Sequence, residues 1–219
     1  MSTAILCPHY NTPTQLTKLL AKIPAYLYSQ ILVVDDGSES LPELPSTITL
    51  IKHSKQLGYG AAQKTGYKWF LESDFEQIIL LHGDDQYDFQ TLWEAQEKAQ
   101  LVQLASRILV PSPEFYPRWR KFGNQVLTGV ANRLYQTQYT DLHTGGRIYH
   151  QDFLQSVPFL DFSDDFLFDQ QILAYCLRNQ IQIKEFPIIP KYDESVSSIS
   201  FRTSLQYGLG CLKVLLEKN

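Results

Sequence analysis

Two acidic clusters contain the side chains of this sequence that are best suited to chemistry. One is Asp35-Asp36-Gly37-Ser38, and the other lies at 82–88, where the sequence reads HGDDQYD. Each cluster directly follows a run of aliphatic residues. Carboxylates at the ends of buried strands suit hard divalent cations, which prefer oxygen ligands and often bridge to phosphate. The same residue types also cap helices and form turns, so capping is the alternative for either cluster on its own.

Strands and helices alternate around these clusters in the first half of the chain. Runs rich in aliphatic and β-branched residues predict strands at 4–7, 31–35, 47–52 and 77–81 and near 107–110. Helices are predicted after Pro13, after Gly60 and near 89–100. This alternation predicts an α/β fold with a mostly parallel sheet and helices on both faces. The acidic clusters and Tyr10-Asn11 should then meet at the carboxyl edge of the sheet, where ligands bind in such folds.

The second half of the sequence is less regular. It predicts helices near 119–135, 167–178 and 203–217 and a strand near 182–187. No internal repeat, low-complexity tract or flexible linker interrupts the chain. We therefore expect one domain over 1–219, with the helix at about 203–217 at its end.

Charge, cysteine content and hydropathy exclude several classes of protein. The net charge of -4 gives no broad positive field, so nucleic acid is not an expected partner. The three cysteines have neither paired nor metal-ligand spacing, and we interpret them as small buried hydrophobes in a reducing compartment. The start of the chain lacks the basic region of a signal peptide, and no apolar run approaches the roughly 20 residues of a membrane span. We expect a cytoplasmic protein that meets a membrane, if at all, at its surface.

An ordered series of segments resembles the family 2 glycosyltransferases, which have the GT-A fold, a single Rossmann-like α/β domain. In the first half the matching segments are ILCPHYNTPTQL from Ile5, then ILVVDDGS, KHSKQLGYGAAQKTGYK and LLHGDDQYD. In the second half they are ASRIL, TDLHTGGRIYHQDFL, FDQQILAYCL and FPIIPKYDESVSSI. Each motif is weak by itself, but the ordered set covers nearly the whole chain. It is most similar to the dolichyl- or polyprenyl-phosphate sugar synthase branch.

The resemblance implies a site for a UDP- or GDP-sugar donor. Pro8, Tyr10 and Thr12 correspond to the loop that wraps the nucleoside, with the tyrosine on the base. Asp35 and Asp36 correspond to the position that binds the base or ribose. The other donor-side residues that the resemblance implies are Gly60, Asp84 and Gln86. Asp84 is the second aspartate of the family's D-x-D element, so Asp84 and Gln86 are also the implied ligands of Mg²⁺ or Mn²⁺.

The resemblance also implies catalytic and acceptor-side residues. Arg107 corresponds to an arginine that faces the diphosphate, which suits its planar fork of donors. The implied acceptor-side residues are Thr144, Gly145, Arg147, Asp164 and Asp169. Asp165 is a candidate general base for a hydroxyl acceptor, whereas a phosphate acceptor is already anionic and needs little deprotonation. A cation and Arg107 would together neutralise the charge that develops on the leaving diphosphate.

Two departures from the family pattern affect this site. His82 stands where the first aspartate of D-x-D is expected, and it is either a metal ligand, which would favour Mn²⁺, or a polar residue at a strand end. Ser197-Ser198 stands where relatives often have Ser-Lys, whose lysine reaches the donor phosphate. Lys191 or Arg202 could replace that lysine, although neither follows from the spacing.

Two segments could contact lipid. Arg118-Trp119-Arg120-Lys121 could bind a lipid phosphate, or it could be a solvated helix start. The leucine-rich helix at 203–217 could lie on a bilayer, or it could dock on the domain.

The leading hypothesis is an inverting transferase that moves a hexose from a nucleotide sugar to polyprenyl phosphate at the cytoplasmic membrane face. Transfer to a saccharide or small-molecule hydroxyl is the second hypothesis. A catalytically silent module that binds nucleotide sugar is the third. A Rossmann dehydrogenase is disfavoured, because PHYNTP lacks the glycine-rich turn of dinucleotide-binding folds. The sequence does not indicate an oligomeric state.

Overall fold

Four stretches of the chain are described by its computed structural model: 2–84, 86–111, 118–191 and 201–217. Within these stretches, Arg118, Arg120 and residues 201–205 are described by their backbone alone. Asp85 and Ser197-Ser198, which the sequence analysis singled out, lie outside the described residues.

The residues that the structure describes form a sheet of seven strands. Its strands are β1 (Thr3–His9), β2 (Ile31–Asp35), β3 (Thr49–Lys52), β4 (Gln77–Leu80), β5 (Val102–Ser106), β6 (Arg147–His150) and β7 (Ile183–Pro187). They lie in the order β3-β2-β1-β4-β6-β5-β7. β6 is antiparallel to both of its neighbours, and all other neighbouring strands are parallel. The carboxyl ends of six strands therefore face one edge of the sheet.

Seven α-helices in the described part of the chain surround this sheet. They are α1 (Pro13–Leu20), α2 (Tyr59–Leu71), α3 (Phe89–Glu94), α4 (Arg118–Tyr135), α5 (Gln151–Ser156), α6 (Phe168–Arg178) and α7 (Phe201–Leu216). Short 3₁₀ helices occur at Ala25–Gln30 and Phe159–Asp161. None of the helices in the described stretches has the length and apolar character needed to cross a membrane.

The core lies in two layers, one on each face of the sheet. Alternate residues of β1 supply both layers, with Leu6 on one face and Ile5 on the other. Leu6 packs against α2 so closely that a Cβ at Gly66 would lie 2.4 Å from its side chain. The layer on that face also includes side chains of α4, α5, α6 and α7, whereas α1 and α3 cover the opposite face. The prediction of a mostly parallel sheet with helices on both faces is therefore confirmed.

Two details of the prediction were wrong. The strand expected near 107–110 lies at Val102–Ser106, where the buried Gln103 interrupts the aliphatic pattern. Its side-chain oxygen accepts a hydrogen bond from the backbone N–H of Glu97, which explains why a polar residue is tolerated there. The helix expected near 89–100 ends at Glu94. β6 was not predicted at all, because it is short and begins with the charged Arg147.

All three cysteines are buried and unpaired. Burial raises the pKa of the thiols of Cys7, Cys176 and Cys211 to about 12. They act as small hydrophobes, as the sequence analysis predicted.

Candidate functional site

Three loops meet at the carboxyl edge of the sheet, after β1, β2 and β4. The backbone N–H of Asp36 donates to the carbonyl of His9 at 2.8 Å, and that of Gly83 donates to the carbonyl of Pro8 at 3.3 Å. The N–H of Asn11 donates to Ser38 Oγ at 2.8 Å. Because β1 lies between β2 and β4, its loop touches both of the acidic loops. The expected meeting of the three strand ends is present in the structure.

Pro8 lies near the end of β1, and Tyr10 and Thr12 belong to the loop that follows it. Pro8 is buried and pairs with Val34 of β2. Tyr10 is 41% exposed, so its ring is accessible from solvent at this edge. Thr12 is half-buried, with its hydroxyl 3.3 Å from Nδ1 of His9, and α1 begins at the next residue. Of the three, Tyr10 has the largest accessible surface for a planar ligand.

Asp35 and Asp36 are buried and hydrogen-bonded within the protein. The carboxylate of Asp35 accepts from the backbone N–H and the hydroxyl of Ser38. Oδ1 of Asp36 lies 2.8 Å from Nδ1 of His53 and accepts from the N–H of Leu57 at 2.9 Å. Oδ2 of Asp36 accepts from the N–H of Gly58 at 2.9 Å. These bonds fix the path of the chain into α2, so both carboxylates have a structural role, and a role in nucleotide binding stays a prediction.

Gly60, at the start of α2, lies against the segment that carries Asp164. The N–H groups of Gly60 and Ala61 donate to the carbonyl of Asp164 at 2.8 and 3.2 Å. A Cβ at Gly60 would lie 2.5 Å from the carbonyl oxygen of Ser163. Lys64 of α2 donates to the carboxylate of Asp164 at 2.7 Å. A predicted donor-side residue and a predicted acceptor-side residue are therefore in direct contact.

Asp84 lies half-buried in the loop after β4. Its Oδ1 accepts from the backbone N–H of Gln86 at 3.1 Å. The carbonyl of Gln86 accepts from the backbone N–H of Lys191 at 2.8 Å, and Lys191 Nζ donates to Asp88 at 2.8 Å. The hydrogen bond from the Lys191 ammonium lowers the pKa of the Asp88 carboxyl. Lys191 is thus placed beside the loop of Asp84, whereas the side chain of Arg202 is outside the described set.

His82 is enclosed by aromatic side chains. Its Nε2 lies 2.8 Å from the hydroxyl of Tyr59, and its ring contacts the rings of Tyr59 and Tyr87. A Cβ at Gly145 would lie 2.5 Å from this Nε2. Within the described stretches, no group of three or more His, Cys, Asp or Glu side chains is arranged to hold a metal ion.

Arg107 forms a buried ion pair that the sequence analysis did not foresee. Its Nε and Nη2 donate to the two oxygens of Asp141 at 2.7 and 2.9 Å, and Nη2 also donates to the carbonyl of His143. Burial alone would raise the pKa of Asp141, but the hydrogen bonds and charge of Arg107 outweigh burial and lower it. Arg107 is only 8% exposed, and its predicted contact with a diphosphate stays a prediction.

The predicted acceptor-side residues fall into a buried group and an exposed group. Arg147 and Asp169 form a buried ion pair at 3.4 Å, and Arg147 also donates to the carbonyl of Thr144. Thr144 and Gly145 are buried as well. Asp164 and Asp165 are exposed on the segment before α6, and Oδ1 of Asp165 accepts from the N–H of Leu167. Only the exposed pair presents carboxylates to solvent.

Three residues that the sequence analysis missed connect these groups. Tyr59 donates to Asp169 at 3.3 Å, Gln63 donates to Asp169 at 2.9 Å, and Tyr87 accepts from the N–H of Gly145 at 2.8 Å. Burial and the nearby charge of Asp169 hold the pKa of Tyr59 well above its usual value. The single aromatic residue between two glycines in LGYGAA gave a weak signal of a close contact, but nothing in the sequence indicated its partner.

The segments with predicted lipid contacts expose apolar side chains. Trp119, Phe122 and Val126 of α4 are 43%, 69% and 47% exposed, at a spacing that places them along one side of the helix. On α7, Leu209 and Leu216 are exposed, whereas other side chains of this helix are buried against the domain. Docking of α7 on the domain, one of its two predicted roles, is therefore present in the structure.

A known protein family matches the part of the chain that contains these loops. The profile described as Glycosyl transferase family 2 matches residues 4–157, which is more than half of the chain and includes the loops after β1, β2 and β4. The chain belongs to glycosyl transferase family 2. This match confirms the predicted enzyme class, a nucleotide-sugar-dependent glycosyltransferase.

A curated relative of this family 2 chain is the undecaprenyl-phosphate mannosyltransferase of Micrococcus luteus. It is 26% identical over 170 residues, which cover 72% of this chain and 70% of the relative.

Solved structures of similar fold include two sugar-phosphoglycerate synthases. Glucosyl-3-phosphoglycerate synthase from Mycobacterium tuberculosis, in complex with Mn²⁺, UDP-glucose and phosphoglyceric acid, matches with a TM-score of 0.72 and 10% identity, over 98% of this chain and 78% of the other. Mannosyl-3-phosphoglycerate synthase from Rubrobacter xylanophilus matches with a TM-score of 0.70 and 12% identity, over 98% and 72%. At such low identity the likeness establishes the fold, which is the predicted GT-A fold.

Proposed function

We propose that this chain is an inverting glycosyltransferase that moves a hexose from a UDP- or GDP-sugar to polyprenyl phosphate, with residues 1–219 as its catalytic domain. The observation that carries the proposal is the meeting of the loops after β1, β2 and β4 at the edge of the sheet that carries the half-buried Asp84. In an α/β sheet this edge is where ligands bind. The exposed ring of Tyr10 offers a surface for the base on the same edge.

A divalent cation fits this site if the donor diphosphate supplies some of its ligands. The described residues offer the carboxylate of Asp84, with Gln86 two positions later, and no group of three ligating side chains. Mg²⁺ and similar ions are often held by one or two carboxylates together with substrate phosphates. We therefore expect the cation to bind with the donor diphosphate rather than before it. Its chemical contribution would be to neutralise negative charge on the leaving diphosphate.

Cationic side chains of the protein would add to that neutralisation. Lys191 is the better placed, because its backbone N–H bonds to Gln86 and its ammonium lies beside Asp88, on the loop of Asp84. Arg107 is tied to Asp141, so its contribution would be that of a fixed, oriented charge.

The acceptor is proposed from three observations. The relative from Micrococcus luteus is by name an undecaprenyl-phosphate mannosyltransferase. A phosphate acceptor needs no strong general base, which agrees with the burial of Asp169 against Arg147. The exposed apolar side of α4, next to the basic sequence at 118–121, would let the protein meet the cytoplasmic face of a membrane.

Transfer to a hydroxyl remains the second candidate, and one observation favours it. Asp165 is exposed before α6, on the segment that contacts the start of α2, where a carboxylate base could reach an incoming hydroxyl. If a hydroxyl is the acceptor, Asp165→Asn should lower kcat by about 100-fold or more. If polyprenyl phosphate is the acceptor, the same change should leave kcat within a few-fold of the wild type.

The test is a transfer assay with labelled UDP- and GDP-sugars, polyprenyl phosphate and Mn²⁺ or Mg²⁺. We expect label in the lipid phase, and Asp84→Asn should reduce it by about 100-fold or more, because Asp84 is the proposed protein ligand of the cation that neutralises the diphosphate. Asp152→Asn, on the exposed side of α5, is the matched control and should have wild-type activity. Label that enters only water-soluble saccharide would support the second candidate. Nucleotide binding in a thermal-shift assay without any turnover would contradict both and indicate a silent binding module.

A further inference from the structure

His82 lies at the junction of four segments of the molecule. It follows β4 and precedes Asp84 by two residues, and the chain on either side is fixed to β1 by the N–H groups of Leu81 and Gly83. Its ring contacts Tyr59 at the start of α2 and Tyr87 before α3. It also faces Gly145, in the loop before β6. The imidazole therefore joins the loop of Asp84 to the second half of the chain.

A chain of hydrogen bonds leads from His82 into the interior. Nε2 of His82 lies 2.8 Å from Tyr59 Oη, and Tyr59 Oη donates to Oδ2 of Asp169 at 3.3 Å. Asp169 also accepts from Gln63 and pairs with Arg147. Because a carboxylate only accepts, the hydroxyl hydrogen of Tyr59 is directed toward Asp169. The hydrogen shared between His82 and Tyr59 is then carried by Nε2.

Nε2 of His82 is engaged by other groups of the protein. The hydroxyl of Tyr59 occupies its bonding direction at 2.8 Å. The backbone of Gly145 also lies close to the ring, because a Cβ there would lie 2.5 Å from Nε2 and 2.6 Å from Cε1. The backbone at Gly145 is itself held, because its N–H donates to Tyr87 Oη. Nε2 is thus a donor to the protein rather than an available ligand.

We propose that His82 is a positioning residue, which holds the loop of Asp84 in register with the Asp169–Arg147 pair through Tyr59, and that it does not bind the cation. This inference rests on the proposed function, in which Asp84 lies on the donor side and the segment around Gly145 and Asp169 on the acceptor side. A fixed link between the two sides sets the approach of acceptor to donor, on which the rate of transfer depends steeply. The cation would keep Asp84 and the donor diphosphate as its partners.

Three variants separate positioning from metal ligation. In His82→Gln the side-chain amide nitrogen reaches the position of Nε2. In His82→Asn the amide nitrogen reaches only the position of Nδ1. Tyr59→Phe removes the hydroxyl that bonds to His82. We expect His82→Asn and Tyr59→Phe to lower kcat by about 10-fold or more, and His82→Gln to stay within about threefold of the wild type. The donor KM and the half-saturating Mn²⁺ concentration should not change in any of them. A rise in that Mn²⁺ concentration in both His82 variants but not in Tyr59→Phe would overturn the proposal, as would wild-type kcat in His82→Asn.

A measurement without turnover tests the link independently. In protein with ¹⁵N-labelled histidine, long-range ¹H–¹⁵N spectra report which ring nitrogen carries hydrogen. The signal of His82 is identified because it disappears in the variant His82→Gln. We expect hydrogen on Nε2, a changed signal in Tyr59→Phe, and an unchanged signal when Mg²⁺ and UDP are added. Hydrogen on Nδ1, or a large shift of Nδ1 on addition of Mg²⁺ and UDP, would refute the proposal. If the wild type binds neither UDP nor GDP, the proposed function fails, and these spectra still decide whether the link exists.

Discussion

The aspartates at the carboxyl ends of β2 and β4 have different surroundings in this protein. Asp35 and Asp36 are buried, and their oxygens accept hydrogen bonds from nearby backbone, hydroxyl and imidazole groups. Asp84 is half-buried and accepts from Gln86. A ligand that approached Asp35 or Asp36 would have to replace internal bonds, which is costly for buried groups. Asp84 is therefore the best candidate among them to meet a ligand.

At the residue scale, the Arg107–Asp141 pair gives a prediction about stability. Asp141→Asn keeps the shape of the side chain but leaves the buried guanidinium without its counter-charge. We expect the free energy of unfolding to fall by about 2–4 kcal/mol, measured by urea denaturation. The control, Glu217→Gln, removes the exposed partner of Lys213. It should change the free energy of unfolding by less than about 0.5 kcal/mol. Equal effects of the two changes would show that Arg107 does not depend on Asp141.

At the element scale, the entry into α2 depends on the segment that precedes α6. Gly58 has a φ of +119°, a region that residues with a side chain rarely adopt. A Cβ there would lie 2.3 Å from the carbonyl oxygen of Asp164, the same carbonyl that accepts from the first N–H groups of α2. The glycines of this loop therefore allow two distant segments to make close contact.

A glycine-to-alanine change should have opposite effects at Gly58, just before α2, and at Gly129, within α4. Gly58→Ala should lower the free energy of unfolding by more than about 2 kcal/mol, through strain at positive φ and the clash with Asp164. Gly129→Ala lies within α4, where a Cβ would meet nothing within 4 Å, and should raise it by about 0.5–1 kcal/mol. Thermal unfolding followed by circular dichroism would measure both. A stabilising Gly58→Ala would contradict the close contact.

At the scale of the whole molecule, folding buries histidines in uncharged form. Burial lowers the pKa of His9, and it lowers the pKa of His143 from 6.5 to about 4. In the unfolded chain these imidazoles bind protons near their ordinary pKa, whereas the folded protein binds them only at lower pH. Between about pH 6.5 and pH 4 the unfolded state therefore holds more protons, and stability falls as pH falls through this window.

His143 should account for a measurable part of this pH dependence. The wild type should lose roughly 2 kcal/mol of stability between pH 6.5 and pH 4 through this group, and His143→Asn should remove that part of the slope. The half-buried His150 provides the control in the variant His150→Gln. Urea denaturation across this pH range measures the slopes. An unchanged slope in His143→Asn would show that its imidazole is already charged in the folded protein.

Local sequence predicted most of the elements of this fold. Strands such as β1, β2 and β4 are continuous aliphatic runs, and α1 has both a regular apolar stripe and a proline in its first turn. These signals depend on neighbouring residues only, so they are readable without a structure. β5 and β6 were misplaced or missed because each contains a buried polar residue, Gln103 or Arg147, whose partner lies elsewhere in the chain.

The sequence by itself determined the mostly parallel arrangement, the edge at which the acidic loops meet and the resemblance to family 2, because the alternation of strands with helices and the order of the motifs are local features of the chain. Only the tertiary structure decided which charged side chains are satisfied internally. Arg107 with Asp141, Arg147 with Asp169, and His82 with Tyr59 are separated in sequence by 34, 22 and 23 residues. A hydrogen bond over such a separation depends on how helices and strands pack, and no spacing rule in the sequence encodes it.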